Sequence, residues 1–147
     1  MPHAVTSRLT LDELTALIDD HFPQVHEGSG RLSIEHVGPK NARVRMAQDP
    51  RMLRPGGTVS GPMMFKLADF AVYVAILADR GTDALQAVTT SMTMNFLSRP
   101  YPADLIADVT LLKVGRRLAV AEVSIHADGR DDLIAHATST YSLPGSK

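Results

Sequence analysis

Residues 63–78 are apolar almost without a break, and the charges inside the run, Lys66 and Asp69, stand three residues apart. Ser60, Gly61 and Pro62 open the run and Gly81 follows it, which predicts a helix over about 61–80. Ser60 or Gly61 can cap it, and Pro62 suits a first turn, where its missing N–H costs nothing. A helix that is apolar on nearly every side belongs inside a fold. A second helix is predicted over about 10–22. Thr10-x-x-Glu13 is a capping box, and Leu9 stands where a hydrophobic staple would meet Leu14. Leu14, Leu17, Ile18 and Phe22 give this helix one apolar stripe, and Pro23 marks its stop.

Elsewhere the rhythm is two. Leu32, Ile34 and His36 alternate with Arg31, Ser33 and Glu35, and Ala42, Val44 and Met46 alternate with Arg43 and Arg45. These runs predict strands over 31–37 and 42–46, joined by the turn Gly38-Pro39-Lys40-Asn41. Residues 48–57, with Pro50, Pro55, Gly56 and Gly57, read as a loop. Strands are predicted over 88–96, 105–114, 118–127 and 133–143. They are joined by Arg99-Pro100-Tyr101-Pro102, Gly115-Arg116-Arg117 and Asp128-Gly129-Arg130. The order α-β-β-α-β-β-β-β predicts an α+β fold, an antiparallel sheet wrapped around the long apolar helix with an amphipathic helix before it.

Composition narrows the choices of function. With 147 residues and 44% hydrophobic content, residues 1–147 are expected to form one domain with a substantial core. Fifteen basic and 16 acidic residues are well mixed along the chain, which argues against a nucleic-acid surface or a polybasic membrane tether. No cysteine is present, so disulfides and thiolate metal sites are excluded, and a cytoplasmic location is expected. The leading residues 1–8 lack the apolar run of a signal peptide. The stretch 63–78 reads as too short and too charged to span a bilayer. The six histidines have no metal-ligand spacing, and no metal or cofactor is expected. His126 and His136 flank the Asp128-Gly129 turn as candidate cross-strand neighbours. Met63, Met64, Met92 and Met94 read as packing.

Asp69 is the candidate for chemistry. A carboxylate in an apolar helix costs several kcal/mol unless partnered, in the range of roughly 3–5 kcal/mol when its partner is removed. Lys66 could pair with it and Tyr73 could donate to it, so a structural role stays open. At the helix start the N–H of Gly61 has no intrahelical partner and carries the positive end of the helix dipole, where an oxyanion can be held. Gly61 and Asp69 lie about 12 Å apart along one helix. A base must sit within about one hydrogen bond or one water of the reacting centre. If both act on one carbonyl, they come from two antiparallel helices of a symmetric dimer, with two shared sites.

Ser60-Gly61-Pro62-Met63-Met64-Phe65-Lys66-Leu67-Ala68-Asp69 resembles the helix-start motif of hotdog-fold acyl-CoA thioesterases of the phenylacetate-degradation type. In that family the pattern is His-Gly-Gly, six residues, then Asp. The likeness continues through Val88-Thr89-Thr90, Phe96-Leu97-Ser98-Arg99-Pro100, Val114-Gly115-Arg116-Arg117-Leu118 and residues 134–141. It implies a hotdog fold, hydrolysis of a small, medium or aryl acyl-CoA without a cofactor, and self-association as a homodimer or a dimer of dimers. By the resemblance Asp69 is general base or nucleophile, the Gly61 N–H polarises the thioester carbonyl, and Thr89 positions the water. The alternation places Thr89 opposite the Met-rich face, so a plain sheet-surface threonine stays open as well. Arg116 and Arg117 fall where similar enzymes hold the phosphates of CoA, and Arg99 is a further candidate; solvated surface cations are the competing reading. The chain departs from the family at Ser60 for His, Pro62 for the second Gly and Arg54 for Asn. These three positions are expected at the substrate, with turnover or acyl selectivity altered. Two other functions fit the sequence: a non-catalytic acyl-CoA-binding protein, and a hotdog hydratase or dehydratase, disfavoured because no His lies between His36 and His126.

Overall fold

The computed structural model describes residues 8–28, 30–100 and 102–145, so the leading segment 1–7 and Tyr101 of the predicted turn lie outside the described residues. Helix α1 is Leu11–His21, and its capping box is formed: Thr10 Oγ1 accepts from the Glu13 N–H at 3.1 Å, and the Thr10 N–H donates to Glu13 Oε1 at 3.0 Å. Leu14 and Ile18 are buried. The N–H groups of Arg8 and Leu9 both donate to the Ala78 carbonyl, at 2.7 and 3.3 Å, which docks the start of α1 on the far end of the central helix. A 3-10 turn, Pro23–His26, follows.

Strands β1 (Leu32–Gly38) and β2 (Asn41–Met46) form the first hairpin. The predicted loop 48–57 is more ordered than its Pro and Gly content suggests. It holds a 3-10 turn, Pro50–Met52, and most of a small hairpin made by β3 (Leu53–Arg54) and β4 (Thr58–Val59). Helix α2, Gly61–Arg80, has the predicted bounds. Then come β5 (Val88–Phe96), β6 (Leu105–Val114), β7 (Leu118–Ala127) and β8 (Ala135–Ser142). The main sheet has the order β1-β2-β6-β7-β8-β5 and is antiparallel throughout. The fold is α+β and hotdog-like, with α2 packed on the inner face of the sheet.

Alternation explains that packing. Ala107, Val109 and Leu111 of β6, Ala119, Ala121, Val123 and Ile125 of β7, and Ala135 and Ala137 of β8 are buried with Leu67, Ile76 and Leu77 of α2. Each fully buried Leu or Ile contributes about 2 kcal/mol. Small alanines on the strands let the helix lie close to the sheet. With the 3-10 turn Gly81–Ala84, the helical stretch Gly61–Ala84 has 24 residues, long and apolar enough to cross a membrane by length and composition. The expectation that it is too short and too charged is therefore corrected. Its burial within the molecule, 67% over the most apolar window, identifies it as a core helix.

On the outer face Arg45 donates to Glu35, Asp104 and Asp128 at 2.6, 2.9 and 2.9 Å, tying β1 and β2 to the segments before β6 and after β7. The two sheet histidines are not a cross-strand pair. His136 stands opposite Ser124 and His126 opposite Ile106, because the β7–β8 register is two residues away from that match. Each lies beside a carboxylate instead, His136 at 3.3 Å from Glu122 and His126 at 3.8 Å from Asp108.

Candidate active site

Asp69 is half-buried, because α2 is not covered all round. Met64, Leu67, Ala68 and Phe70 are buried, whereas Gly61, Pro62, Phe65, Lys66 and Asp69 form a stripe that the sheet leaves uncovered, with Phe65 41% exposed. The stripe ends at Asp69; beyond it Val72, Tyr73 and Ile76 are buried.

Two hydroxyls converge on one oxygen of this carboxylate. Thr89 Oγ1 donates to Asp69 Oδ1 at 2.6 Å, and Tyr141 Oη donates to the same oxygen at 2.8 Å and to the Asp69 carbonyl at 3.0 Å. Hydrogen bonds to an ionised acceptor are about twice as strong as neutral ones. Tyr73, the partner expected from sequence, turns away and donates to the Leu85 carbonyl at 2.6 Å. Burial, and then the negative charge of Asp69, push the Tyr141 hydroxyl above its ordinary value of 10.0, and burial pushes Tyr73 up as well. Tyr141 therefore stays protonated as a donor at neutral pH.

Thr89 reaches Asp69 because of a β-bulge. The β5–β8 register shifts between Thr89 and Ser91, so that Thr89 stands opposite Tyr141 while Met92 stands opposite Ser139. Directly paired residues share a face. The extra residue turns Thr89 to the helix side, the side of Met92 and Met94, which corrects the opposite-face reading drawn from plain alternation. Tyr141 was missed by sequence reasoning as a site residue, although a signal existed. It continues the buried series Ala135, Ala137 and Ser139, and a buried tyrosine needs a partner for its hydroxyl.

Asp69, Thr89 and Tyr141 line a cavity of about 740 Å³. Its apolar wall includes Phe22, Val25, Leu32, Phe70, Tyr73 and Leu85, and Lys66 and His21 line it too. That volume is in the range of small-molecule sites.

The other predicted residues lie elsewhere. Ser60 occupies the N-cap position of α2, but its side chain makes no capping hydrogen bond, so the first amides are not quenched by it. A Cβ on Gly61 would come within 3.3 Å of Phe96 Cζ, so glycine there permits a close approach of the β5 ring. Pro62 follows on the exposed stripe. Arg54 lies in β3, and Arg99 Nη2 reaches the Gly56 turn of the same hairpin, so both cations belong to that hairpin rather than to the Asp69 carboxylate. Arg116 and Arg117 line a separate cavity of about 580 Å³ with Lys113, Leu118 and Gly145. In one chain, then, Asp69 and Thr89 are brought together, while Gly61 stays at the far end of the stripe.

The sequence profile of the thioesterase superfamily matches residues 56–134, more than half of the chain. This chain belongs to that superfamily. The match includes Gly61, Asp69 and Thr89 but ends before Tyr141. Among solved structures, the chain is similar to a candidate thioesterase from Silicibacter sp. TM1040, with 39% identity over 97% of this chain and 96% of the other, and a TM-score of 0.85. It is also similar to a mutant phenylacetic acid degradation protein PaaI from Thermus thermophilus, with 28% identity, 81% and 97% coverage and a TM-score of 0.69. The E. coli PaaI protein from the phenylacetic acid degradation operon, at 21% identity, 90% and 91% coverage and a TM-score of 0.75, shares the fold. No curated protein matches the chain.

Proposed function

We propose that this protein is an acyl-CoA thioesterase that hydrolyses a small, medium or aryl acyl-CoA to the free acid and CoA. It works as a symmetric homodimer, alone or paired into a tetramer, in the cytoplasm. One domain spans the chain. The observation that carries the reading is the pair of hydroxyls on Asp69 Oδ1 at the wall of an apolar cavity. In this mechanism Oδ1 is fixed by Thr89 and Tyr141, and Oδ2 takes a proton from water. The water oxygen bonds to the thioester carbon, and the carbonyl electrons move onto oxygen. That oxyanion is held by the Gly61 N–H of the partner subunit at the positive end of its helix. When the intermediate collapses, the C–S bond breaks and the proton passes from Asp69 to the leaving thiolate.

Two features support the dimer. β5 is a nine-residue edge strand with no charged residue, whose Val88 and Phe96 are 60% and 55% exposed. Edges left open in this way invite pairing, and the opposite edge, β1, carries Glu35. The exposed stripe of α2 has Gly61 and Asp69 four residues to either side of Phe65. A two-fold axis at Phe65 sets Gly61 of each subunit against Asp69 of the other. In that assembly Ser60, Pro62, Arg54 and Arg99 border the thioester, and Arg116 and Arg117 take CoA phosphates. The test is thiol release from a panel of acyl-CoA thioesters. Asp69→Asn, folded as judged by circular dichroism, is expected to lose at least about 100-fold in kcat; undiminished release defeats the assignment.

A second reading gains from one observation. His21, remote from Asp69 in sequence, lines the same cavity, which removes the ground on which a hydratase was disfavoured. Loss of enoyl absorbance without thiol release would mark that activity.

A further inference from the structure

The cavity beside Asp69 is walled on one side by the last turn of α1, and we propose that Phe22 there sets the length of acyl chain the site accepts. This inference rests on the thioesterase reading and specifies its acyl pocket. The wall chemistry says which end of the substrate enters. Phe22, Val25, Leu32, Phe70, Tyr73 and Leu85 are apolar or aromatic, whereas Arg116 and Arg117, suited to phosphates, line a different cavity. The acyl group therefore points towards α1 and the CoA moiety away from it.

Within that wall Phe22 has a particular place. Its ring meets Tyr73 edge-on, with centroids 5.8 Å apart and planes at 87°, and Tyr73 stacks on Tyr141 at 6.4 Å. Three rings thus lead from the carboxylate's donor to α1, and Phe22 is the last of them. Val25, Leu32 and Phe70 are buried in the core, but Phe22 is half-buried, with solvent on its outer side. Removing its ring opens the cavity outward without emptying the core.

The wall is also fixed rather than loose. The Phe22 N–H closes α1 on the Ile18 carbonyl at 2.7 Å, Pro23 prevents the helix from continuing, and Leu14 and Ile18 anchor α1. An edge-on aromatic pair adds roughly 1 kcal/mol to the area it buries. A longer acyl chain would have to displace a ring held edge-on against Tyr73 and carried on a fixed helix end.

The test compares kcat/KM for acetyl-, hexanoyl-, decanoyl- and palmitoyl-CoA among the natural protein, Phe22→Ala and Phe22→Leu. The palmitoyl-to-hexanoyl ratio is expected to rise about tenfold or more in Phe22→Ala, chiefly through KM, with Phe22→Leu intermediate. A merely structural role would lower all four substrates together and leave the ratio unchanged, and that result overturns the inference. If the natural protein releases thiol and the ratios do not move, this inference falls while the thioesterase reading stands. If no thiol is released from any of the four, nor from phenylacetyl-CoA, the thioesterase reading falls. The same palmitoyl-to-hexanoyl ratio, taken from equilibrium dissociation constants of the three proteins, then decides the role of Phe22, and failure to bind any of the four overturns it.

Discussion

Asp69 owes its position to two strands that are adjacent in the sheet but distant in sequence: Thr89 comes from the start of β5 and Tyr141 from the end of β8. Each donor removes freedom from the carboxylate and stabilises its charge. Replacing Tyr141 by Phe keeps the ring against Tyr73 and removes one donor. In the proposed reaction kcat is expected to fall about tenfold to 100-fold with KM little changed, measured by steady-state thiol release. The same substitution has a signature in stability. Because burial and the Asp69 charge raise the pKa of Tyr141 in the folded state, its contribution is fully present below the unfolded value near 10.0 and is lost as pH rises beyond it. Urea midpoints at about pH 8 and about pH 11 should therefore differ less in Tyr141→Phe than in the natural protein. Tyr73, shifted in the same direction, leaves some alkaline loss in both.

Whole elements were easier to read from the sequence than their local turns. The bounds of α2 follow from Pro62 and Gly81 on either side of an apolar run, and the long strands follow from alternation and turn residues. The faces presented by single residues are another matter. A bulge shifts parity by one, and nothing in Val88-Thr89-Thr90-Ser91 announces it, so Thr89 was assigned to the wrong side. Asp69 and Gly61 were legible because a carboxylate and a glycine punctuate an apolar helix. For Tyr141 alternation signals only burial and an unmet hydroxyl, and for His21 nothing does; that both face Asp69's cavity follows only from the tertiary fold, which brings β8 and the end of α1 together. Replacing Thr89 by Val removes the donor that the bulge aims at Asp69 while keeping the β-branched shape. Turnover is expected to fall about tenfold or more in Thr89→Val, while far-UV circular dichroism stays that of the natural protein; full activity in this variant would show that the donor placed by the bulge does not serve the site.

For the whole molecule, the uncovered stripe on α2 and the uncharged edge of β5 lie where a second copy would complete both at once. Gly61 and Asp69 cannot meet within one helix, as they are about 12 Å apart along its axis. In the proposed dimer, sharing across a two-fold at Phe65 would resolve that distance without moving either element. The most direct measurement mixes two inactive variants, Asp69→Asn and Gly61→Pro, the latter lacking the N–H. After unfolding and joint refolding in equal amounts, half the dimers are mixed and each holds one intact site, so about a quarter of the natural thiol-release rate is expected to return. No recovery, with mixed dimers demonstrated by native mass spectrometry, would contradict a site built from Asp69 of one subunit and Gly61 of the other.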